Sequence, residues 1–125
     1  GKTVAVLGLT FKPNKDDMRE APSLVLVPML QERGATVRAY DPQGRENATD
    51  LLDGVVWCDG GLETVEDADA LVVVTEWNEF RGLDLQTVRA RMRGNVLVDL
   101  RNVFNAADAV QAGFDYFSVG RPGSD

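Results

Sequence analysis

The chain has 125 residues, the length of a single domain near the commonest domain size, and its 44% hydrophobic residues are enough to fill one core. No stretch approaches the roughly 20 apolar residues of a membrane-spanning helix. With 20 acidic and 13 basic side chains, the formal net charge of −7 repels nucleic acid and anionic membranes. We therefore expect residues 1–125 to form one domain without a nucleic-acid or membrane partner.

The first third of the chain predicts a strand, a long loop, a helix and a second strand. Residues 3–8 are short, apolar and valine-rich, which is typical of a buried strand. The polar segment 9–21 is long for a strand-to-helix loop, which usually takes about 2–6 residues, so it is expected to be functional. Residues 22–33 show one apolar face at helical spacing, and Pro28 should kink this helix or lie near its beginning. Residues 35–40 then form a strand.

The rest of the chain alternates short apolar runs with helical patterns. The segment 70–75 is apolar throughout and is therefore expected to be covered on both faces. The other predicted elements are strands at 54–57, 95–99 and 115–119 and helices at 43–53, 63–68, 83–92 and 105–112. This order predicts a three-layer, Rossmann-like α/β fold, with a mainly parallel sheet of about six strands and helices on both faces.

Loops that leave the C-terminal ends of parallel strands meet at one edge of the sheet, where such folds bind ligands. Gly8, Thr75 and Asp99 are expected at that edge. The loop after Gly8 is not a dinucleotide fingerprint, because G-x-G-x-x-G is absent. Its cations could hold a phosphate, with help from backbone N–H groups near Pro22, or could simply be solvated.

Two further strand ends carry candidate groups, each with two interpretations. Trp77 and Phe80 are three residues apart, a spacing that favours packing over ligand contact. Arg101 has a planar, permanently charged group suited to a diphosphate, but it could equally pair with Asp99.

Catalytic chemistry within the chain is not expected. There is no His, so a Ser-His-Asp or Cys-His nucleophile is impossible, and one Cys without His gives no basis for a zinc site. Cys58 has no base to activate it and is expected to be a half-buried packing residue. A lone Cys also excludes an internal disulfide and fits a reducing, cytoplasmic compartment. The chain opens without a signal peptide or an initiator Met, as expected of a cytoplasmic domain excised from a larger protein.

Five ordered sequence blocks carry a family resemblance, which runs from Thr3 to Arg121. They are GLTFK at 8–12 with DDMR at 16–19 and AP at 21–22, AYDP at 39–42, TEWNEF at 75–80, DLRN at 99–102, and GF at 113–114 with GR at 120–121. In this order they resemble the C-terminal domain of the UDP-glucose/GDP-mannose dehydrogenase family. The TEWNEF block most resembles UDP-glucose 6-dehydrogenases within it.

The resemblance implies an NAD-dependent enzyme that oxidises a nucleotide-sugar C6 alcohol to a carboxylate in two steps. It implies that this domain binds UDP-glucose or a related nucleotide sugar and closes over the NAD site. Lys12 and Arg101 would contact the UDP-sugar with Phe11 alongside, and Arg19 would reach the NAD. An N-terminal domain would bind most of the NAD. A central region would hold the catalytic Cys and make a homo-oligomer, so the excised chain is expected to be inactive.

Two alternative interpretations remain at this point. One is a stand-alone Rossmann-like module that binds a nucleotide without chemistry. The other is a CoA-binding or receiver-like domain of similar strand order. A receiver would need acidic residues after the first strand and an acceptor Asp after the third, where this chain has Gly8 and the pair Trp57-Cys58.

Overall fold

A computed structural model describes residues 2–8, 23–41, 54–74, 80, 82–100 and 103–118. The predicted helix 43–53 lies outside these residues. The described elements, in chain order, are β1 (Thr3–Leu7), α1 (Ser23–Glu32), β2 (Thr36–Tyr40), β3 (Val56–Trp57), α2 (Gly61–Val65), β4 (Ala70–Val73), α3 (Leu85–Arg91), β5 (Val96–Asp99), α4 (Ala106–Gln111) and β6 (Asp115–Ser118).

The six strands form one sheet in the order β3-β2-β1-β4-β5-β6, and every pairing between neighbours is parallel. This confirms the predicted six-stranded, Rossmann-like α/β fold. The apolar strands β1 and β4 lie at the centre of the sheet, where both of their faces are covered.

Alternate residues of the central strands supply two hydrophobic cores, one on each side of the sheet. Ala5 and Leu7 of β1 belong to the larger core, which includes residues of α2, α3 and α4. Val4 and Val6 point to the smaller core, which includes Val27 of α1. Because successive side chains of a strand point to opposite faces, one valine-rich strand can serve both layers.

Helix α2 begins and ends earlier than the sequence predicts, at Gly61–Val65 rather than 63–68. Two contacts explain the shift. The Gly60 carbonyl accepts from both the backbone N–H and the hydroxyl of Thr64, which starts the helix early. At the other end, Arg38 of β2 donates to the Glu63 carbonyl at 2.8 Å, and so satisfies a helix terminus through a contact distant in sequence.

Helix α1 confirms the predicted segment, but Pro28 lies well inside it rather than near its beginning. The proline ring is exposed, where it costs the helix one backbone hydrogen bond without disturbing the core. None of the helices formed by the described residues is long and apolar enough to cross a membrane.

At the N-terminal edge of the sheet, Asp69 links β1, β4 and β5 through hydrogen bonds of its side chain and its place in the turn before β4. Its carboxylate accepts from the Thr3 backbone N–H at 2.8 Å and from Arg93 at 2.6 and 2.9 Å. Gly94 passes so close to this turn that an added Cβ would lie 2.0 Å from the Asp69 carbonyl oxygen. The start of β5 is therefore packed directly onto the turn that enters β4.

Candidate functional site

The C-terminal edge of the sheet has a topological switch point at β1 and β4. From β1 the chain moves outward to β2 on one side, whereas β4 leads outward to β5 on the other. Open α/β sheets bind their ligands in the crevice at such a point. Gly8 and Asp99 lie at this edge, as predicted, and the third predicted residue, Thr75, is outside the described residues.

Backbone hydrogen bonds continue past the strand ends and fix the start of three loops. Gly8 N–H donates to the Tyr40 carbonyl at 2.8 Å, Val74 N–H to that of Leu7 at 2.9 Å, and Leu100 N–H to that of Val73 at 2.9 Å. The first residue after each of β1, β4 and β5 is therefore still held in register by a hydrogen bond to a neighbouring strand. Strands β1 and β5 are two strand spacings apart, so the loops after them start about 10 Å from each other.

Gly8 turns the chain out of β1 with φ of 88°, in the left-handed region that favours glycine. It is also buried, and a side chain here would be strained by this backbone conformation. This single Gly replaces the Gly-rich turn of a dinucleotide fingerprint. The loop that it opens carries Phe11, Lys12 and Arg19, which lie outside the described residues.

The loop after β5 is organised by Asp99, whose side chain is fully buried. Its carboxylate oxygens accept from the backbone N–H groups of Val103 at 3.0 Å and Phe104 at 2.9 Å. The Tyr116 hydroxyl of β6 lies 2.8 Å from the same carboxylate. Arg101, the candidate diphosphate contact, is between these anchored residues in sequence and is itself outside the described residues.

Sequence reasoning placed Asp99 at this edge and as a possible partner of Arg101, but it missed the buried contacts that Asp99 makes with the loop backbone and with Tyr116. A signal was present, because Asp99 is two residues from the core residue Leu97 and must share its buried face. A carboxylate in that register needs several donors. The sequence pattern does not show that Tyr116 is one of them.

The segment after β4 is anchored by Phe80, which is fully buried in the larger core. Its ring meets Tyr40 edge-on, with centroids 6.1 Å apart and planes at 66°. The packing interpretation is thus confirmed for Phe80, while Trp77 is outside the described residues.

A cleft of about 580 Å³ lies between the N-terminal end of α3 and one side of α4. Its described lining includes the apolar side chains of Leu83 and Phe104, and its charged members, Asp84 and Asp108, are both acidic. Carboxylates repel a diphosphate. This cleft is therefore a poor candidate for the nucleotide site, although it lies beside the β5–α4 loop.

Cys58 is more buried than the half-buried position expected from the sequence, with 3% of its surface exposed, and it forms no disulfide. The nearest described cation is Arg38, whose Nη2 lies 3.7 Å from Sγ while donating more strongly to Glu63. Within the described ranges, no group of three or more His, Cys, Asp or Glu residues could hold a metal ion.

The parallel sheet, its switch point and the anchored loops at one edge define a Rossmann-like domain of the ligand-binding type. A family model described as the UDP-binding domain of the UDP-glucose/GDP-mannose dehydrogenase family matches residues 5–106. The chain belongs to this family and corresponds to its C-terminal, UDP-binding domain. The CoA-binding and receiver-like alternatives are thereby set aside.

Individual relatives agree with this assignment. The chain is 49% identical over 122 residues to a UDP-glucose 6-dehydrogenase of Rhizobium meliloti, covering 98% of this chain and 28% of that protein. It is 46% identical over 128 residues to one of Pseudomonas aeruginosa, with the same two coverages. A solved UDP-glucose dehydrogenase of Pyrobaculum islandicum superposes with a TM-score of 0.81 at 35% identity, over 98% of this chain and 26% of that one. The chain therefore spans little more than a quarter of these relatives' length.

Proposed function

We propose that residues 1–125 are the C-terminal domain of a longer, NAD-dependent UDP-glucose 6-dehydrogenase of the cytoplasm. In this enzyme the domain binds UDP-glucose or a related nucleotide sugar and closes over the NAD site. The parent enzyme then oxidises the sugar C6 alcohol to a carboxylate in two steps. The supporting observation is the rigid edge at the β1/β4 switch point, from which the candidate cationic loops leave.

The proposed contacts follow from the charge of the ligand. Lys12 and Arg101 bind the diphosphate of the UDP-sugar, with Phe11 packed alongside, and Arg19 contacts the NAD. The chain as a whole carries −7, so a cluster of cations at one edge is costly unless it meets an anion. Arg and Lys are the side chains that match phosphate groups best.

The remaining machinery belongs to the rest of the parent chain. Its N-terminal domain binds most of the NAD, and its central region supplies the catalytic Cys and the contacts of a homo-oligomer. In this arrangement the domain contributes substrate affinity and exclusion of water, and it contributes no nucleophile. A stand-alone nucleotide-binding module without catalysis is the alternative.

Substitutions in the full-length enzyme test the assignment of the three cations. Lys12→Ala and Arg101→Ala should mainly raise the KM for UDP-glucose, whereas Arg19→Ala should mainly raise the KM for NAD. Each lost charge-assisted contact should cost on the order of 1.5–3 kcal/mol. Steady-state kinetics with each substrate varied in turn measures both effects.

Arg91→Ala is the matched control, because Arg91 ends α3 at the opposite edge of the sheet and pairs there with Glu66, both about half exposed. This variant removes a positive charge and should leave both KM values unchanged. Unaltered affinity for both substrates in all three test variants would show that these cations have no role in binding.

A further inference from the structure

The connection between β5 and α4 is fixed at both ends by contacts within the protein. On one side, Leu100 N–H donates to the Val73 carbonyl of β4 at 2.9 Å. On the other, Val103 and Phe104 donate their N–H groups to the two carboxylate oxygens of Asp99 at 3.0 and 2.9 Å. Two residues, 101 and 102, separate these anchored positions.

Tyr116 completes the anchor from the neighbouring strand. It faces Leu97 across the β5/β6 pair and is 4% exposed. Its hydroxyl lies 2.8 Å from Asp99 Oδ2 and 3.1 Å from the Phe104 carbonyl oxygen. The hydroxyl therefore contacts both the carboxylate that organises the loop and the backbone of the loop itself.

Burying a carboxylate and a hydroxyl in a core costs desolvation free energy. Their desolvation is offset only if each is hydrogen-bonded, and apolar residues of similar volume often serve stability as well or better. What apolar side chains cannot supply is an acceptor for two consecutive backbone N–H groups, which sets the path of the chain. Asp99 and Tyr116 lie at the candidate ligand-binding edge, where a fixed backbone at Val103 and Phe104 would help to place a ligand-binding side chain.

We propose that Asp99 and Tyr116 are positioning residues for nucleotide-sugar binding, which fix Val103 and Phe104 next to the segment that carries Arg101. This inference rests on the proposed role of Arg101. Leu100, Val103 and Phe104 are already held by contacts within the protein, so less conformational entropy is lost on binding. Both side chains are buried, so we infer that they act through Arg101 rather than on the substrate.

Tyr116→Phe in the full-length enzyme removes the hydroxyl and keeps the ring in the core. We expect the KM for UDP-glucose to rise about threefold to tenfold, as for the loss of one hydrogen bond, with kcat and the KM for NAD unchanged. Thr64→Val is the matched control, because it removes another buried hydroxyl, which donates to the Gly60 carbonyl in α2. Thr64→Val should lower the thermal midpoint of the enzyme without raising its KM for UDP-glucose.

A double-mutant cycle with Arg101→Ala separates positioning from general stability. If Tyr116 acts through Arg101, Tyr116→Phe should have no effect on the KM for UDP-glucose in the Arg101→Ala background. An equal effect in both backgrounds, or a KM in Tyr116→Phe equal to that of the unmodified enzyme, would overturn the positioning role. Asp99→Asn, with fewer acceptor sites for its donors among the described residues, should shift the KM in the same direction, and it is the second variant if Tyr116→Phe does not fold.

The cycle also distinguishes the two proposals. If Arg101→Ala raises the KM and Tyr116→Phe does not, the function of Arg101 stands and the positioning role is wrong. If Arg101→Ala itself leaves the KM unchanged, the proposed contact is wrong and the positioning role falls with it. Calorimetric titration of the same variants with UDP alone should reproduce the order of the KM values.

Discussion

Among single residues, Asp69 has a pKa far below its ordinary value. The hydrogen bonds from the Arg93 guanidinium, followed by that from the Thr3 backbone N–H, lower the pKa of Asp69 from 3.8 to about 2. The same pair raises the pKa of Arg93. The ionised carboxylate is thus favoured in the folded chain, where it joins β1 to the starts of β4 and β5.

Stability should depend on pH through Asp69 in a defined direction. Since its pKa is lower in the folded chain, its contribution is present above about pH 3.8 and is lost as the pH falls toward 2. We expect Asp69→Asn to lower the thermal midpoint clearly at neutral pH, and the deficit relative to the unmodified chain to shrink between these two values. Thermal unfolding of both proteins across the acid range measures this.

Glu66→Gln is the control for Asp69→Asn, because Glu66 pairs with Arg91 at 3.2 Å with both side chains about half exposed. Exposed pairs contribute little, so the midpoint should change little at any pH. A deficit for Asp69→Asn that stayed constant from neutral pH to pH 2 would contradict the assignment.

How much of the site could be predicted differs from residue to residue. Lys12 and Arg101 are expected near the ligand edge because each follows an apolar strand that ends at Gly8 or Asp99, whereas their contact with the UDP-sugar is implied by the family resemblance. The role of Asp99 depends on Tyr116, 17 residues away on another strand. A periodic pattern indicates which face a residue occupies, but it does not identify a hydrogen-bond partner on another element.

At the level of elements, α3 and α4 begin in the same way, at the edge where the candidate site lies. Asp84 accepts from Gln86 N–H at 3.2 Å at the start of α3, and Asn105 accepts from Ala107 N–H at 2.8 Å at the start of α4. Both are short helices, of 7 and 6 residues, which depend strongly on such caps and on packing.

Loss of either cap should destabilise the domain. Asn105→Ala and Asp84→Ala should each lower the free energy of unfolding by about 1 kcal/mol, because a helix N–H group loses its acceptor. Urea denaturation of the isolated chain measures the change. Gln86→Ala is the control, since Gln86 takes part in this cap through its backbone N–H, which the substitution retains. Equal stability of Asn105→Ala and the unmodified chain would refute a capping role.

The existence and type of the described elements were predicted better than their ends. Strands with valine-rich runs, such as β1 and β4, match their predictions to within two residues at each end. Helix α2 does not, because its end is decided by Arg38 of β2 and by Glu66, whose ψ of 122° ends the helical path. Helix limits that depend on contacts between elements are not visible in local periodicity.

On the scale of the whole molecule, two cores sandwich one sheet, and the candidate site occupies one of its edges. The one thiol of the chain, on Cys58, is almost completely buried. Under the proposed function the domain binds the nucleotide sugar and closes over the NAD site, and another domain supplies the reacting groups.

The isolated 125-residue chain should therefore have no dehydrogenase activity. Incubation with UDP-glucose and NAD should yield no NADH by absorbance, under conditions in which the full-length enzyme is active. Sustained NADH formation by the purified chain would contradict the proposal that the catalytic groups lie in another domain.

In the full-length enzyme, Cys58→Ala should leave kcat unchanged, because a buried thiol without an activating base is not a nucleophile.

The sequence by itself determined the class of fold and the family, because unalternated apolar strands require helices on both faces and five ordered blocks run through the chain. It also determined that Gly8 and Asp99 lie at the same edge of the sheet, since parallel strands all end on the same side. The tertiary structure decided the strand order, the ends of α2, the Asp69–Arg93 pair and the Asp99–Tyr116 anchor. Each of these depends on groups that are distant in sequence and that only packing brings within hydrogen-bond distance.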